Sequence, residues 1–77
     1  MVRDVLEYIA RSLVDDPDAV EVTEESTNGA VMLKLRVAQD DMGKVIGRGG
    51  RTARAIRAVV RAAGTKDGVS ASVEIVE

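Results

Sequence analysis

The 77-residue chain predicts an α+β domain of two layers, with three helices covering one face of a three-stranded sheet in the order α-β-β-α-α-β. Three observations carry this expectation. Apolar residues recur every three or four positions over 2–13, 42–46 and 51–63, the period of amphipathic helices. They alternate with polar residues around 20–23, 30–38 and 69–75, the period of half-buried strands. An Asn28-Gly29 pair separates the first two alternating runs and suits a two-residue hairpin turn. With no repeat, linker or low-complexity stretch, residues 1–77 read as one domain.

The elements follow in chain order. Val2, Val5, Leu6, Ile9 and Leu13 share one face of the first helix. Asp15-Asp16-Pro17-Asp18 ends it, because the proline ring disfavours helical geometry at Asp16. These acids lack the glycine and distant glutamate of a calcium loop and read as a solvated turn. Val20 and Val22 alternate with Glu21 and Thr23. After the hairpin, Val31, Leu33, Leu35 and Val37 line one face of the clearest strand, opposite Met32, Lys34 and Arg36. Asp40 or Asp41 can cap a short helix with Met42, Val45 and Ile46 on one side. That helix stops at Gly47-Arg48-Gly49-Gly50.

A further helix runs over 51–63. At about 100° per residue, Thr52, Ile56, Val59, Val60 and Ala63 form its apolar face, and Arg54, Arg57 and Arg61 fall within an arc of about 60° on the opposite side. Gly64 reads as the helix terminator. Residues 64–68 then form a loop, and Val69, Ala71, Val73 and Ile75 alternate through the last strand.

Composition narrows the function. The chain has no cysteine and no histidine, which removes disulfides, thiolate chemistry, the commonest general base and the commonest metal ligand. No metal site or cofactor is expected, and an enzyme would have to rest on carboxylates such as Asp40 and Asp41, whose place before a helix marks them as caps. Charges interrupt every apolar run, so no membrane span and no signal peptide are expected, and the expected address is the cytoplasm. Tyr8 is the one aromatic residue, which disfavours base stacking on rings.

The net charge of −2 hides a strong asymmetry. Seven of the eleven cations and none of the thirteen acids lie between Met42 and Lys66, which leaves −9 on the rest of the chain. One wholly basic segment in an acidic protein is a localised anion-binding patch.

The glycine turn lies at the heart of that segment. Three glycines in four residues permit unusual backbone angles and close approach of another backbone. The turn feeds a helix N-terminus, and Lys44, Arg48 and Arg51 flank it, so a phosphate is the natural ligand. A P-loop would need Lys-Ser/Thr after Gly50, where Arg51-Thr52 stands. A dinucleotide fingerprint would need glycine at Thr52 and a strand before the turn. A single Arg48-Gly49-Gly50 inside a helical hairpin is not an RGG-rich tail.

Val45-Ile46-Gly47-Arg48-Gly49-Gly50 resembles the KH-domain signature, a V-I-G-x-x-G turn that joins two helices and clamps the backbone of about four nucleotides. The element order resembles the type II, prokaryotic, KH fold over the whole chain. The pattern Gly43-Lys44-Val45-Ile46-Gly47…Gly50, then Ala55-Ile56-Arg57, Val59-Val60 and Ala62-Ala63, looks closest to the small bacterial single-KH proteins of the KhpA family. The resemblance departs at Ala53, where the general signature has isoleucine. This passes the apolar work of the groove to Ile46 and Ile56.

The resemblance implies a non-catalytic protein that holds single-stranded RNA in a groove between the two central helices and a strand. Backbone amides near Gly49, Gly50 and Arg51 would meet phosphates. The residues it implies are Lys44, Ile46, Gly47, Arg48, Gly49, Gly50, Arg51 and Arg54, with Arg48 foremost and Arg57 and Arg61 left to solvent or an interface. It also implies a homodimer, a heterodimer with a larger protein bearing KH and R3H domains, and no small-molecule substrate. A KH fold serving mainly to dimerise or dock is the alternative.

Overall fold

The computed structural model describes all 77 residues. Helix α1 spans Val2–Leu13, strands β1 and β2 span Glu21–Thr27 and Ala30–Arg36, α2 spans Met42–Ile46, α3 spans Arg51–Lys66 and β3 spans Ser70–Val76. The order is the expected α-β-β-α-α-β. Single turns of 3₁₀ helix at Pro17–Ala19, Gln39–Asp41 and Arg48–Gly50 complete the connections.

The sheet order is β1-β2-β3, with β2 central. β1 and β2 pair antiparallel across Asn28 and Gly29, whose φ angles of 49° and 82° are those of a tight hairpin with both central residues left-handed. β2 and β3 pair parallel, Leu33 opposite Val73 and Leu35 opposite Ile75. A parallel pair needs a long crossover, and α2, the glycine turn and α3 supply it. The crossover therefore sets the basic segment against β3, an edge strand.

Alternation decides which sheet face is covered. Val22, Val31, Leu33, Leu35, Val37, Ala71 and Val73 are buried under the helices, where they meet Val2, Leu6, Ala10, Val45, Ile56 and Val60. Leu6, Leu33 and Leu35 are fully enclosed, and each such burial is worth about 1.5–3 kcal/mol. Registry places Thr23, Lys34 and Glu74 in one row of the other face, which no helix covers.

The helices depart from expectation in rotational phase. In α1, Ala10 is buried and Leu13 is exposed. In α3, Val59 is not a core residue: it is 48% exposed, while Ala53 and Gly64 are buried. Nor does α3 stop at Gly64, for it continues to Lys66. A side chain on Gly64 would begin 2.7 Å from the Ala71 Cβ and 3.0 Å from the Val69 carbonyl oxygen. The missing side chain at Gly64 thus lets the end of α3 lie close against β3.

Candidate nucleic-acid interface

The turn is built from three glycines with positive φ: Gly47 at 74°, Gly49 at 63° and Gly50 at 77°. The Gly47 amide closes α2 by donating to the Gly43 carbonyl (2.9 Å), and the Gly50 amide donates to the Gly47 carbonyl (3.1 Å). The Arg51 amide donates to the Arg48 carbonyl. Two of the three amides expected to face phosphates are thus engaged within the turn itself. At its tip, no atom lies within 4 Å of where a Gly49 side chain would start, so a second backbone can approach there.

The basic residues divide into two groups. Arg54 Nη1 donates to the Gly49 carbonyl at 3.1 Å and so ties the turn to the next helical level of α3. Lys44 Nζ lies 3.1 Å from Asp15 Oδ2 and 3.6 Å from Asp41 Oδ1. Arg48 and Arg51, in contrast, are exposed and make no ion pair. Of the basic residues around the turn, Arg48 and Arg51 are therefore the two whose charge is free to meet an anion. Ile46 is 39% exposed beside the turn, while Ile56 is only 2% exposed and belongs to the core. Of the two isoleucines expected to face the groove, the structure presents only Ile46.

Asp41 does more than precede α2. Its side chain makes no capping bond to α2; it is 2% exposed and accepts the amides of Asp15 (3.2 Å) and Asp16 (3.1 Å). Burial alone pushes this carboxyl up, but the two amides and the Lys44 ammonium outweigh it and hold it below the usual aspartate range. The ion-paired hydrogen bond to Asp15, above all, raises Lys44 above the usual lysine value. The cluster fastens α2 to the end of α1.

A depressed carboxylate pKa means that the unfolded chain takes up the proton first. Its stabilisation is present above about pH 4 and is lost as pH falls through the folded-state value. Asp41→Asn is expected to lower the urea midpoint clearly at pH 7, with the gap to the parent narrowing as the pH falls below the usual aspartate range. Equal midpoints at pH 7 would show that the clasp contributes nothing.

Comparison with known proteins agrees with this geometry. A family model described as "KhpA/KhpB, KH domain" matches residues 3–75. The chain is 50% identical over 74 residues to RNA-binding protein KhpA of Clostridium acetobutylicum, covering 96% of this chain and 99% of that one. It is 48% identical to RNA-binding protein KhpA of Caldanaerobacter subterraneus, covering 95% and 97% respectively. Among solved structures, Aquifex aeolicus Era bound to GDP.AlF4− superposes with a TM-score of 0.69 at 14% identity, over 96% of this chain and 29% of Era. That likeness is one of fold. The signature turn, the element order and the match across nearly the whole length lead to one conclusion: the chain belongs to the KhpA/KhpB family of KH domains.

Proposed function

We propose that this protein binds single-stranded RNA, without catalysis, by seating the sugar-phosphate backbone on the Gly47–Gly50 turn. The observation that carries this reading is the pairing of an unobstructed Gly49 tip with two exposed, unpaired guanidiniums, Arg48 and Arg51. Ile46 offers aliphatic surface to a base, as suits a chain whose one aromatic residue, Tyr8, is on α1. Lys44 and Arg54 act from behind, holding α2 and the turn in place. The relatives named RNA-binding protein KhpA support the same reading.

Fluorescence anisotropy of a short labelled RNA tests it. With about three phosphates neutralised, the parent's log–log salt slope is expected near −2. A variant carrying Arg48→Asp and Gly49→Asp is expected to fold, since aspartate tolerates left-handed backbone, and to lose measurable binding. A folded variant that binds as well as the parent would reduce the turn to a structural element.

One observation favours association as well. Val59 stands exposed on α3 beside Ala55, Ala58 and Ala62, a shallow apolar surface with no charge in it. A second copy of the chain is the occupant proposed for it, in keeping with the homodimer implied by family resemblance; a KH/R3H partner is proposed on that resemblance alone, and a cytoplasmic setting on the sequence expectation. Dimerisation would add avidity to a weak single site. Sedimentation equilibrium of the parent and of the variant carrying Arg48→Asp and Gly49→Asp separates the two roles: dimerisation kept with RNA binding lost assigns the turn to RNA alone.

A further inference from the structure

Of the cations that flank the turn, Lys44 is the one whose charge the fold itself cancels. It stands in the last turn of α2, about 4.5 Å of helix rise before Gly47, and its flexible stem gives the ammonium reach in that direction. In the folded chain the ammonium is held instead by Asp15 Oδ2 at 3.1 Å and Asp41 Oδ1 at 3.6 Å. One cation there faces two anions, so the cluster as a whole repels a phosphate.

The two acids do different work. Asp41 is buried, and its two oxygens accept the amides of Asp15 and Asp16, so its charge belongs to the fold. The Asp15 side chain is 82% exposed, and its partner is the Lys44 ammonium. What the fold takes from residue 15 is its backbone amide, which an asparagine would supply equally well. The acidic group at this position is therefore separable from the clasp between α1 and α2. It is also the closer of the two partners and the first cause of the raised Lys44 pKa. Carboxylate and phosphate oxygens compete for the same charged N–H donors. Asp15 thus takes up a contact that a phosphate would otherwise make.

We infer that Asp15 is an internal counter-ion that withholds Lys44 from RNA and so weakens binding at the turn, leaving the contacts to Arg48 and Arg51. This rests on the RNA reading proposed above. It adds a residue from the turn after α1, outside the glycine turn and both central helices, that sets how tightly RNA is held.

The experiment measures anisotropy of a labelled octauridylate over a range of salt, after circular dichroism shows each variant folded. Asp15→Asn is expected to bind about two- to fivefold more tightly than the parent, the strength of one exposed ion pair. Its log–log salt slope is expected to steepen by about 0.7, one further phosphate met by Lys44. Asp15→Glu keeps the charge and should bind as the parent does. Asp18→Asn removes an equally exposed acid that pairs with no cation, and it controls for net charge. Its slope is expected to match the parent's. In Asp15→Asn/Lys44→Gln both the gain in affinity and the steeper slope should vanish. No gain in Asp15→Asn, an equal gain in Asp18→Asn, or a gain that survives loss of Lys44 overturns the counter-ion and leaves the turn reading intact. Binding of RNA by none of these proteins overturns both.

Discussion

Gly47→Ala is expected to cost roughly 2–4 kcal/mol of folding stability, read from urea unfolding followed by circular dichroism. Two independent penalties add. The residue sits at φ 74° and ψ 171°, a backbone region that is essentially restricted to glycine. A Cβ there would also overlap the Thr52 hydroxyl and lie 2.7 Å from the Thr52 Cβ and 2.9 Å from its amide nitrogen. A flexible side-chain end could move aside, but the amide of a helical first turn cannot. Removing the hydroxyl with Thr52→Ala should therefore rescue only a small part of the loss. The control is Gly49→Ala, at φ 63° with open space around it, which should cost about 1–2 kcal/mol for left-handed backbone alone. A domain of this size has only about 4–12 kcal/mol in total, so the first variant is expected to be partly unfolded on modest warming and the second is not. Equal losses at the two glycines would sink the steric account.

That contrast shows what a sequence can reveal about this turn. The run Gly47-Arg48-Gly49-Gly50 between two helical patterns announced a phosphate-sized turn, and the hairpin at Asn28-Gly29 was equally legible, because both are local and demand particular residues. The alternation of Val31, Leu33, Leu35 and Val37 likewise identified the covered face of β2. Strand order and the parallel β2–β3 pairing were not legible, since alternation says which face a residue takes and nothing about its neighbour. Asp41 read as a helix cap because caps are local, whereas its partners are the amides of residues 25 and 26 positions earlier. The same long-range contact accounts for Lys44, a lysine beside a phosphate turn whose charge is already matched by two carboxylates.

Gly64 is where local reasoning and packing diverge most. A glycine near the end of an arginine- and alanine-rich helix has the signature of a terminator, yet α3 passes through it and ends two residues later. Its function is spatial: it brings the α3 backbone against β3, with the Val69 amide bonded to its carbonyl at 2.8 Å. Gly64→Val is expected to lower stability by about 2–3 kcal/mol, the range for overpacking a seam that cannot yield. Gly64→Ala should lose less, because alanine's helix propensity returns up to about 1 kcal/mol. The decisive comparison is a cycle with Ala71→Gly, which removes the atom 2.7 Å from the new Cβ. If contact between these two positions is the cause, the double variant Gly64→Ala/Ala71→Gly should be more stable than the sum of the single losses by about 0.5–1 kcal/mol or more. Strict additivity would instead place the cost on the Val69 carbonyl, which no side-chain change can remove.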